Sequence, residues 1–348
     1  MKINIIYLYT EIQPYNIAIF HELLKRKNVA IHVFHWDKKI LTPYIPPEIE
    51  NVYYYKKSDF KTVNELFLTI KNLDPTIIYT SGWIDKDYMS VCRKTRKYLS
   101  IPVVSGSDTY WRGGKQWLNI IASPFWHRKC FSHIQVSGLW QFEYAHRLGF
   151  HAQNILMHNL SADTELFRKI SIVQKERSYP KNILYIGRFS PEKGLKYLIE
   201  AWNAISDRKS WRLILIGNGP EKNVLIKNKN VEIKDYANQE VLTKYIQNAG
   251  CFVLPSIKEQ WSLVLHEAAT GGLPILASDI CGAVPYFVIN NYNGYTFKPG
   301  NVSEIQLAIE KIIDASEKRL VEMSYNSRKL SEKITPEIVA NTFLSVLP

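Results

Sequence analysis

The stretch CFVLPSIKEQWSLVLHEAATGGLPILA, residues 251–277, decides the fold of this chain. It contains a short apolar strand (251–254), a polar loop, a helix and a second apolar strand (274–277). Gly271 and Gly272 mark the end of the helix, since glycine favours the backbone conformation that follows a helix C-terminus. A strand, a helix and a further strand in this order predict a parallel sheet covered by helices.

Two acidic residues stand eight positions apart in this stretch. Glu259 lies in the loop, and Glu267 lies in the second turn of the helix, for which Ser262 is the expected N-cap. Free N–H groups at a helix start bind phosphate, and carboxylates accept hydrogen bonds from hydroxyl groups. The arrangement is typical of a site that holds a sugar nucleotide across a helix N-terminus.

The composition is that of a globular protein. The chain has 348 residues, which is long enough for two domains. Hydrophobic residues make up 46% of it and charged residues 22%. A formal net charge of +12 predicts an anionic partner: nucleic acid, acidic lipid headgroups or phosphorylated substrates. Charge alone does not choose among these three.

Cysteine usage and hydropathy indicate the compartment. The four cysteines form no CxxC pair, which predicts reduced thiols in a cytoplasmic protein. No apolar run approaches the roughly 20 residues that a membrane-spanning helix needs. Any membrane association is therefore expected to be peripheral, on the inner face.

Strand-like and helix-like segments alternate in both halves, which predicts two doubly wound α/β domains. The predicted strands are 3–9, 30–35, 76–80, 102–105, 134–137, 155–157, 183–187, 212–217 and 231–233, in addition to the two above. The predicted helices include 14–27, 63–73, 88–98, 138–148, 191–205 and 239–248. Polar residues 163–181 are interpreted as the connection between a first domain (1–165) and a second domain (181–330), and a last helix in 336–348 is expected to cross back onto the first domain.

A second motif, ILYIGRFSPEKG, covers residues 183–194. A buried strand leads to Arg188 and Lys193, which flank a predicted helix start with Ser190 as cap and Pro191 in the first turn. Two cations beside free N–H groups favour a phosphate site, although they are also common as solvated residues at an ordinary helix start. Because this loop and the Glu259 loop both follow strands, they are expected at the same sheet edge, where ligands of parallel sheets bind.

The second half resembles the nucleotide-binding domain of the retaining glycosyltransferases of family 4. The matching runs are GRFSPEKG, GNGP (217–220), LPSIKEQWSLVLHEAATGGLPILAS (254–278), NGYTF (293–297) and HNLSADTELF (158–167). The resemblance covers about 155–300. It implies the GT-B fold, in which two Rossmann-like domains face an interdomain cleft, and an enzyme that transfers a sugar from a nucleotide-diphosphate donor.

The resemblance also implies roles for individual residues. Arg188 and Lys193 would hold the donor diphosphate, Glu259 would contact the donor sugar, and Glu267 would bind the ribose diol. The other implied donor-binding positions are the backbone N–H groups of Ser262, Leu263 and Val264, together with Gly187, Gly217 and Asn218. From this resemblance, neither a metal nor another cofactor is expected.

The sequence departs from the family pattern at several positions. Glu259 is followed by Gln-Trp-Ser where many members have Gly-Phe-Gly, and Tyr286 stands where an acid is common. In the first domain, TEIQPYN (10–16) replaces a glycine-rich loop. Asp108 is the candidate to replace the catalytic acid of that domain, and the alternative is that it only caps a turn.

The segment TYWRGGKQWLNIIASPFWHRKCF, residues 109–131, is basic and aromatic. Such a segment suits a membrane surface or a lipid-linked acceptor, and nucleic acid could use the same side chains by stacking. The alternative is a loop that covers the core and carries ordinary solvated charges.

The sequence therefore predicts a glycosyltransferase acting on a saccharide or lipid-linked acceptor, with retention, in surface polysaccharide, lipopolysaccharide or glycolipid biosynthesis. An anionic membrane surface is a further expected partner, and nucleic acid is not expected. A nucleotide-sugar epimerase or phosphorylase of related fold is one alternative. A non-catalytic module that binds membranes or nucleic acid is the other.

Overall fold

A computed structural model describes residues 2–37 and 44–347. These residues form two compact units, of which the first runs to Ser161 and resumes at Pro336, and the second spans Ala162–Thr335. The chain therefore leaves the first unit once and returns to it for the last helix.

The first unit is built on a parallel sheet of seven strands in the order β3-β2-β1-β4-β5-β6-β7. The strands are β1 (Ile3–Tyr9), β2 (Val29–His35), β3 (Val52–Lys56), β4 (Ile77–Thr80), β5 (Val103–Ser107), β6 (His133–Val136) and β7 (Ile155–Leu156). The helices are α1 (Pro14–Leu24), α2 (Val63–Asn72), α3 (Lys86–Tyr98), α4 (Gln116–Ala122), α5 (His127–Cys130), α6 (Leu139–Arg147) and, after the second unit, α16 (Pro336–Leu344). Central strands such as β1 are apolar on both faces because helices cover both sides of the sheet.

The second unit repeats this architecture with six parallel strands in the order β10-β9-β8-β11-β12-β13. The strands are β8 (Asn182–Ile186), β9 (Arg212–Ile216), β10 (Val231–Lys234), β11 (Cys251–Leu254), β12 (Ile275–Ser278) and β13 (Gly294–Phe297). The helices are α7 (Thr164–Arg168), α8 (Ile172–Arg177), α9 (Leu195–Ala204), α10 (Lys222–Leu225), α11 (Gln239–Gln247), α12 (Leu263–Thr270), α13 (Val284–Phe287), α14 (Val302–Ile313) and α15 (Glu317–Ser331). The predicted alternation of strands and helices, and with it two doubly wound sheets, is confirmed.

The last helix, α16, belongs to the first unit. Its Phe343 ring lies 6.0 Å from the Tyr7 ring and 5.6 Å from the Tyr79 ring, centroid to centroid. Gln135 of β6 donates a hydrogen bond of 3.2 Å to the Val339 carbonyl. The helix therefore closes the first unit's core beside β1 and β4.

The interpretation of 163–181 as a polar connection is wrong. The segment contains α7 and α8, and both helices pack into the second unit, with Phe167 and Ile172 buried. Its most misleading residue is Lys175, which is 1% exposed and donates to the carbonyls of Ile246 and Ala249 at 3.1 and 2.9 Å. Lys175 donates hydrogen bonds to carbonyl groups that the C-terminal end of α11 leaves without partners. From the sequence alone, a lysine is expected to be solvated.

Several other elements differ from the prediction, and two of them show why. Strand β3 was not predicted, because it is a short edge strand whose three consecutive tyrosines show no alternation of apolar and polar residues. The helix predicted for 191–205 begins only at Leu195, after a separate turn of 3-10 helix over Pro191–Lys193. Gly194 lies between the two with a positive φ of 67°, so the 3-10 turn and α9 do not form one continuous helix.

Candidate active site

Three strand ends lie side by side at the carboxyl edge of the second unit's sheet. Strand β8 is central, with β9 on one side and β11 on the other, so the chain order reverses between β8 and β11. The loops that follow these strands begin at Gly187, Gly217 and Pro255. Ligands of open parallel sheets bind at such a reversal point.

The first two loops are held together through their backbones. Phe189 N–H donates to the Asn218 carbonyl at 2.8 Å, and Gly187 N–H donates to the Ile216 carbonyl at 3.0 Å. A Cβ atom on Gly217 would lie 1.9 Å from the Gly187 carbonyl oxygen, so no larger residue fits without moving the backbone. Gly187, Gly217 and Asn218 therefore shape the loops through their main chains.

The turn that carries Lys193 is tied to the Glu259 loop. The backbone N–H groups of Ile257 and Lys258 both donate to the Glu192 carbonyl, at 2.9 and 3.2 Å. Ser190 does not cap a helix as predicted, because its hydroxyl donates instead to the Glu192 carboxylate at 2.7 Å. The two motifs of the sequence thus form one rigid corner.

An ion pair joins the two motifs at that corner. Lys193 Nζ lies 2.5 Å from Glu259 Oε2, and the side chains are 21% and 13% exposed. Ser256 Oγ also donates to Glu259 Oε2, at 3.2 Å. Because an ammonium group has three donors, Lys193 can keep this partner and still donate to a ligand.

Arg188 is exposed beside the same turn. Its charge is felt by Glu192, whose pKa is lowered chiefly by the hydrogen bond from Ser190 and further by Lys193 and Arg188. The Arg188 carbonyl is fixed by the buried hydroxyl of Tyr185, which donates to it at 2.9 Å. The backbone at Arg188 is therefore held in place while its guanidinium projects into solvent.

Glu267 is the buried acid of the site. Its carboxylate accepts a hydrogen bond of 2.8 Å from Gln239, the first residue of α11, and only 9% of the residue is exposed. Burial raises the pKa of Glu267 to about 7, against the hydrogen bond from Gln239, and the charge of Asp163 adds to the increase. Neither Gln239 nor Asp163 was predicted to act on Glu267, because they lie 28 and 104 positions away from it in the chain.

The start of α12 differs from the prediction in one respect. Ser262 occupies the N-cap position, but its side chain accepts no hydrogen bond from the helix because its φ of 86° turns the side chain away. Among the residues that the structure describes, neither Ser262 Oγ nor the Nε1 of the buried Trp261 has a partner. The N–H groups of Ser262, Leu263 and Val264 lie in the first turn, where an α-helix provides no internal acceptor.

Asp108 lies in the first unit, directly after β5, whereas the other candidate residues lie in the second unit. Its carbonyl accepts a hydrogen bond of 3.1 Å from Gln141. Tyr9 and Tyr15, whose hydroxyls are 3.1 Å apart, have pKa values raised mainly by burial, and the charge of Asp108 contributes to both. Asp108 thus belongs to a tyrosine-lined edge of the first sheet.

His266 is used in packing. Its Nδ1 lies 3.1 Å from the Ala162 N–H and its Nε2 lies 3.0 Å from the Ser331 carbonyl. Burial lowers the pKa of His266 to about 4, so the ring is neutral at physiological pH. Within residues 2–37 and 44–347, no three His, Cys, Asp or Glu side chains are grouped to hold a metal ion, and no helix is long and apolar enough to cross a membrane.

Comparison with known proteins shows a similarity in the second unit. Residues 167–330 match the sequence profile of the family described as Glycosyl transferases group 1. The matched residues lie within the second unit, Ala162–Thr335, which is therefore similar to a group 1 glycosyltransferase domain. All the candidate residues in this domain, from Gly187 to Glu267, fall within the matched region.

The curated relatives match only part of the chain. An uncharacterized glycosyltransferase of Haemophilus influenzae is 30% identical over 51% of this chain and 54% of its own length. The alpha-D-kanosaminyltransferase of Streptomyces kanamyceticus is 29% identical over 39% of this chain and 37% of its own. The chain therefore spans about half the length, or less, of these relatives.

Solved structures similar to the whole chain establish the fold. Sucrose-phosphate synthase from Thermosynechococcus elongatus matches with a TM-score of 0.74 at 17% identity, over 97% of this chain and 96% of its own. Anabaena HepE, solved in complex with UDP and glucose, matches with a TM-score of 0.73 at 15% identity, over 98% of both chains. The chain has the GT-B fold, as the resemblance implied.

Proposed function

We propose that this protein is a hexosyltransferase that moves a sugar from a nucleotide-diphosphate donor to a saccharide or lipid-linked acceptor. The reaction proceeds with retention of configuration and serves the biosynthesis of surface polysaccharide, lipopolysaccharide or glycolipid. Retention and the class of product are carried over from the resemblance of the sequence motifs.

The leaving diphosphate needs positive charge, because cleavage of a glycosyl–phosphate bond develops negative charge on the phosphate oxygens. Lys193 and Arg188 supply two cations, and the first-turn N–H groups of α12 supply donors with a favourable helix dipole. With this charge provided by the chain itself, we expect the reaction to need no divalent cation. Activity that survives a chelator would support that expectation.

The two acids bind hydroxyl groups on either side of the diphosphate. Glu259, fixed by Lys193 and Ser256, accepts hydrogen bonds from the donor sugar. Glu267, oriented by Gln239, accepts them from the ribose diol. Asp108 is proposed to act on the acceptor from the first unit.

The observation that carries the proposal is the ion pair between Lys193 and Glu259. Two sequence motifs converge there through residues 66 positions apart, at the edge where the strand order reverses. A largely buried ion pair alone adds little to stability, because desolvation of the two charges offsets much of their attraction. Its location beside the start of α12 therefore favours a role in ligand binding.

A thermal-shift screen against UDP, GDP and ADP sugars tests the proposal. UDP-glucose is the first candidate, since Anabaena HepE was solved in complex with it. A donor at 100 times its dissociation constant stabilises the protein by about 2.7 kcal/mol. Glu267→Ala should abolish the shift, whereas Glu240→Ala, an exposed acid one residue from Gln239, should keep it.

Failure would take distinct forms. If no nucleotide sugar stabilises the protein, the proposed donor site is wrong. Products formed without an acceptor would indicate an epimerase or phosphorylase instead. Salt-sensitive binding to RNA or anionic vesicles, with no sugar transferred to any acceptor, would favour a non-catalytic binding module.

We also propose a cytoplasmic place of action. All four cysteines, Cys92, Cys130, Cys251 and Cys281, are buried and unpaired. Burial raises the pKa of each thiol, so they behave as core residues that a reducing compartment keeps intact. Modification by a thiol reagent only after denaturation would support this interpretation.

A further inference from the structure

The helix α4 and the turn after it expose large apolar side chains on the first unit. No residue of α4 is buried. The exposed members are Trp117 (54%), Leu118 (67%), Ile121 (71%), Phe125 (75%) and Trp126 (44%). Trp117, Ile121 and Phe125 follow one another at spacings of four, so they form a stripe along one side of the helical segment. We call these five side chains the apolar stripe.

The opposite side of the same segment is anchored by polar residues. Ser123 is fully buried and donates a hydrogen bond of 2.6 Å to the Leu148 carbonyl. Asn119 donates to the Tyr144 hydroxyl at 3.0 Å, and His127 is buried with its ring 4.9 Å from that of Trp83. A surface helix of a soluble protein normally buries its apolar face. Here the polar side faces the protein and the apolar stripe faces outward.

Positive charge surrounds the apolar stripe. Between Asp108 and Glu143 the sequence contains four cationic residues and no acidic residue. These cations, Arg112, Lys115, Arg128 and Lys129, are all exposed. The surface is therefore both apolar and basic, within a chain whose formal net charge is +12.

We propose that the apolar stripe and its four cations dock on an anionic lipid bilayer. Tryptophan and other amphipathic or apolar side chains insert at headgroup level, and the cations bind lipid phosphates. Charge complementarity selects this occupant over a second copy of the chain, since a symmetric dimer would oppose the same four cations to themselves. Docking does not require the donor site, but it would favour the lipid-linked acceptor over a soluble saccharide.

Vesicle co-sedimentation of the full chain tests the proposal. Wild type should bind vesicles of phosphatidylcholine with phosphatidylglycerol far more than vesicles of phosphatidylcholine alone, and salt should weaken the binding. Trp117→Ser/Ile121→Ser/Phe125→Ser should reduce the partition coefficient by about tenfold or more. Lys115→Glu/Arg128→Glu/Lys129→Glu should reduce it only on the anionic vesicles.

A matched control removes equally exposed apolar side chains elsewhere. Leu68, Val224 and Ile226 are 54%, 70% and 56% exposed, and their triple change to Ser should leave vesicle binding intact. Unaltered thermal unfolding and an unaltered shift with nucleotide sugar would show that each variant is folded and retains its donor site. If nucleotide sugar did not raise the melting temperature but the protein still bound vesicles, the proposed donor site would be wrong and the proposed docking surface would stand.

Three results would overturn the proposal. Equal vesicle binding by wild type and the apolar-stripe variant would exclude the stripe as the docking element. A concentration-dependent dimer that only the stripe variant loses, with no vesicle binding by wild type, would assign the stripe to a second copy of the chain. Binding to RNA that the charge variant loses, without any binding to vesicles, would assign the surface to nucleic acid.

Discussion

The two units share one architecture and differ in what their sheet edges are made of. In the second unit, the loops at the carboxyl edge pack backbone against backbone, with Gly217 pressed onto the Gly187 carbonyl. In the first unit, the corresponding edge is built from side chains. A Cβ atom on Gly106 of β5 would meet the Tyr79 hydroxyl and Asn159 Oδ1, at 2.0 and 2.8 Å.

This difference explains why only the second unit's sheet edge has sequence motifs that resemble those of a known family. Main-chain N–H groups that bind a phosphate require glycine and a fixed loop length, whatever the sugar attached to it. A side-chain pocket is free to change with its acceptor, because specificity depends on a few groups. The following predictions test this contrast, from the largest expected effect to the smallest.

Removing Lys193 should have the largest effect on activity. Lys193→Met should lower kcat for donor cleavage by about 10²–10³-fold, because the leaving diphosphate loses a preorganised cation. Release of nucleoside diphosphate from the donor measures this. Lys196→Met, an exposed lysine at the start of α9, is the matched control and should change the rate little. Equal rates for wild type and Lys193→Met would show that the Lys193 charge does not stabilise the leaving diphosphate.

Gly217→Ala should destabilise the second unit by about 3 kcal/mol, because the added Cβ would lie 1.9 Å from a carbonyl oxygen and the backbone must shift. Gly113→Ala in the first unit is the comparison. Gly113 has a φ of 75° with open space around it, so only the left-handed conformation is penalised, by about 1 kcal/mol. Thermal unfolding followed by circular dichroism measures both, and similar losses would contradict the contrast between the edges.

Donor binding should depend on pH through Glu267. Its pKa of about 7 means that the unliganded carboxyl is partly protonated at neutral pH. The ribose hydroxyls donate to the ionised form, so binding should weaken by up to about tenfold for each unit as pH falls below 7. Isothermal titration with a nucleotide sugar, whose phosphates do not titrate in this range, should detect proton release.

Glu267→Gln is the control for this pH dependence, since the amide cannot titrate. It should flatten the profile between pH 6 and 8, a range centred on the pKa of about 7. A slope that survives in the variant would assign the titration to another group.

Ser262→Gly should have the smallest effect, and it should be favourable. Ser262 is held at a φ of 86° without a side-chain cap, so glycine relieves about 1 kcal/mol of backbone strain. Ser262→Ala keeps the strain and should not stabilise. If both variants have the same melting temperature, the strain is absent.

The sequence predicted most of the fold, whereas the donor-binding roles of the second unit's residues stay predictions. Apolar runs such as Cys251–Leu254 and the acids at 259 and 267 are local features with fixed spacing, and the structure gathers them at one sheet edge. The sequence did not predict the burial and hydrogen-bond partners of individual polar side chains. Lys175 reads as solvated but is buried, and Ser262 reads as a cap but turns away from its helix.

The residues that shift the pKa of Glu267 could not be predicted from the sequence. Gln239 and Asp163 act on Glu267 only because the fold brings α11 and the start of α7 against α12. The outward apolar stripe of α4 was equally hidden, since its composition also fits a loop that covers the core. Only burial distinguishes the two interpretations.

Hydrogen exchange measured with and without a nucleotide sugar tests the central claim most directly, because it reports where the donor binds. We expect the nucleotide sugar to protect the amides in the Arg188–Lys193 turn and at Ser262, Leu263 and Val264, in the second unit. Protection confined to the loops after β1 and β5 of the first unit would contradict it.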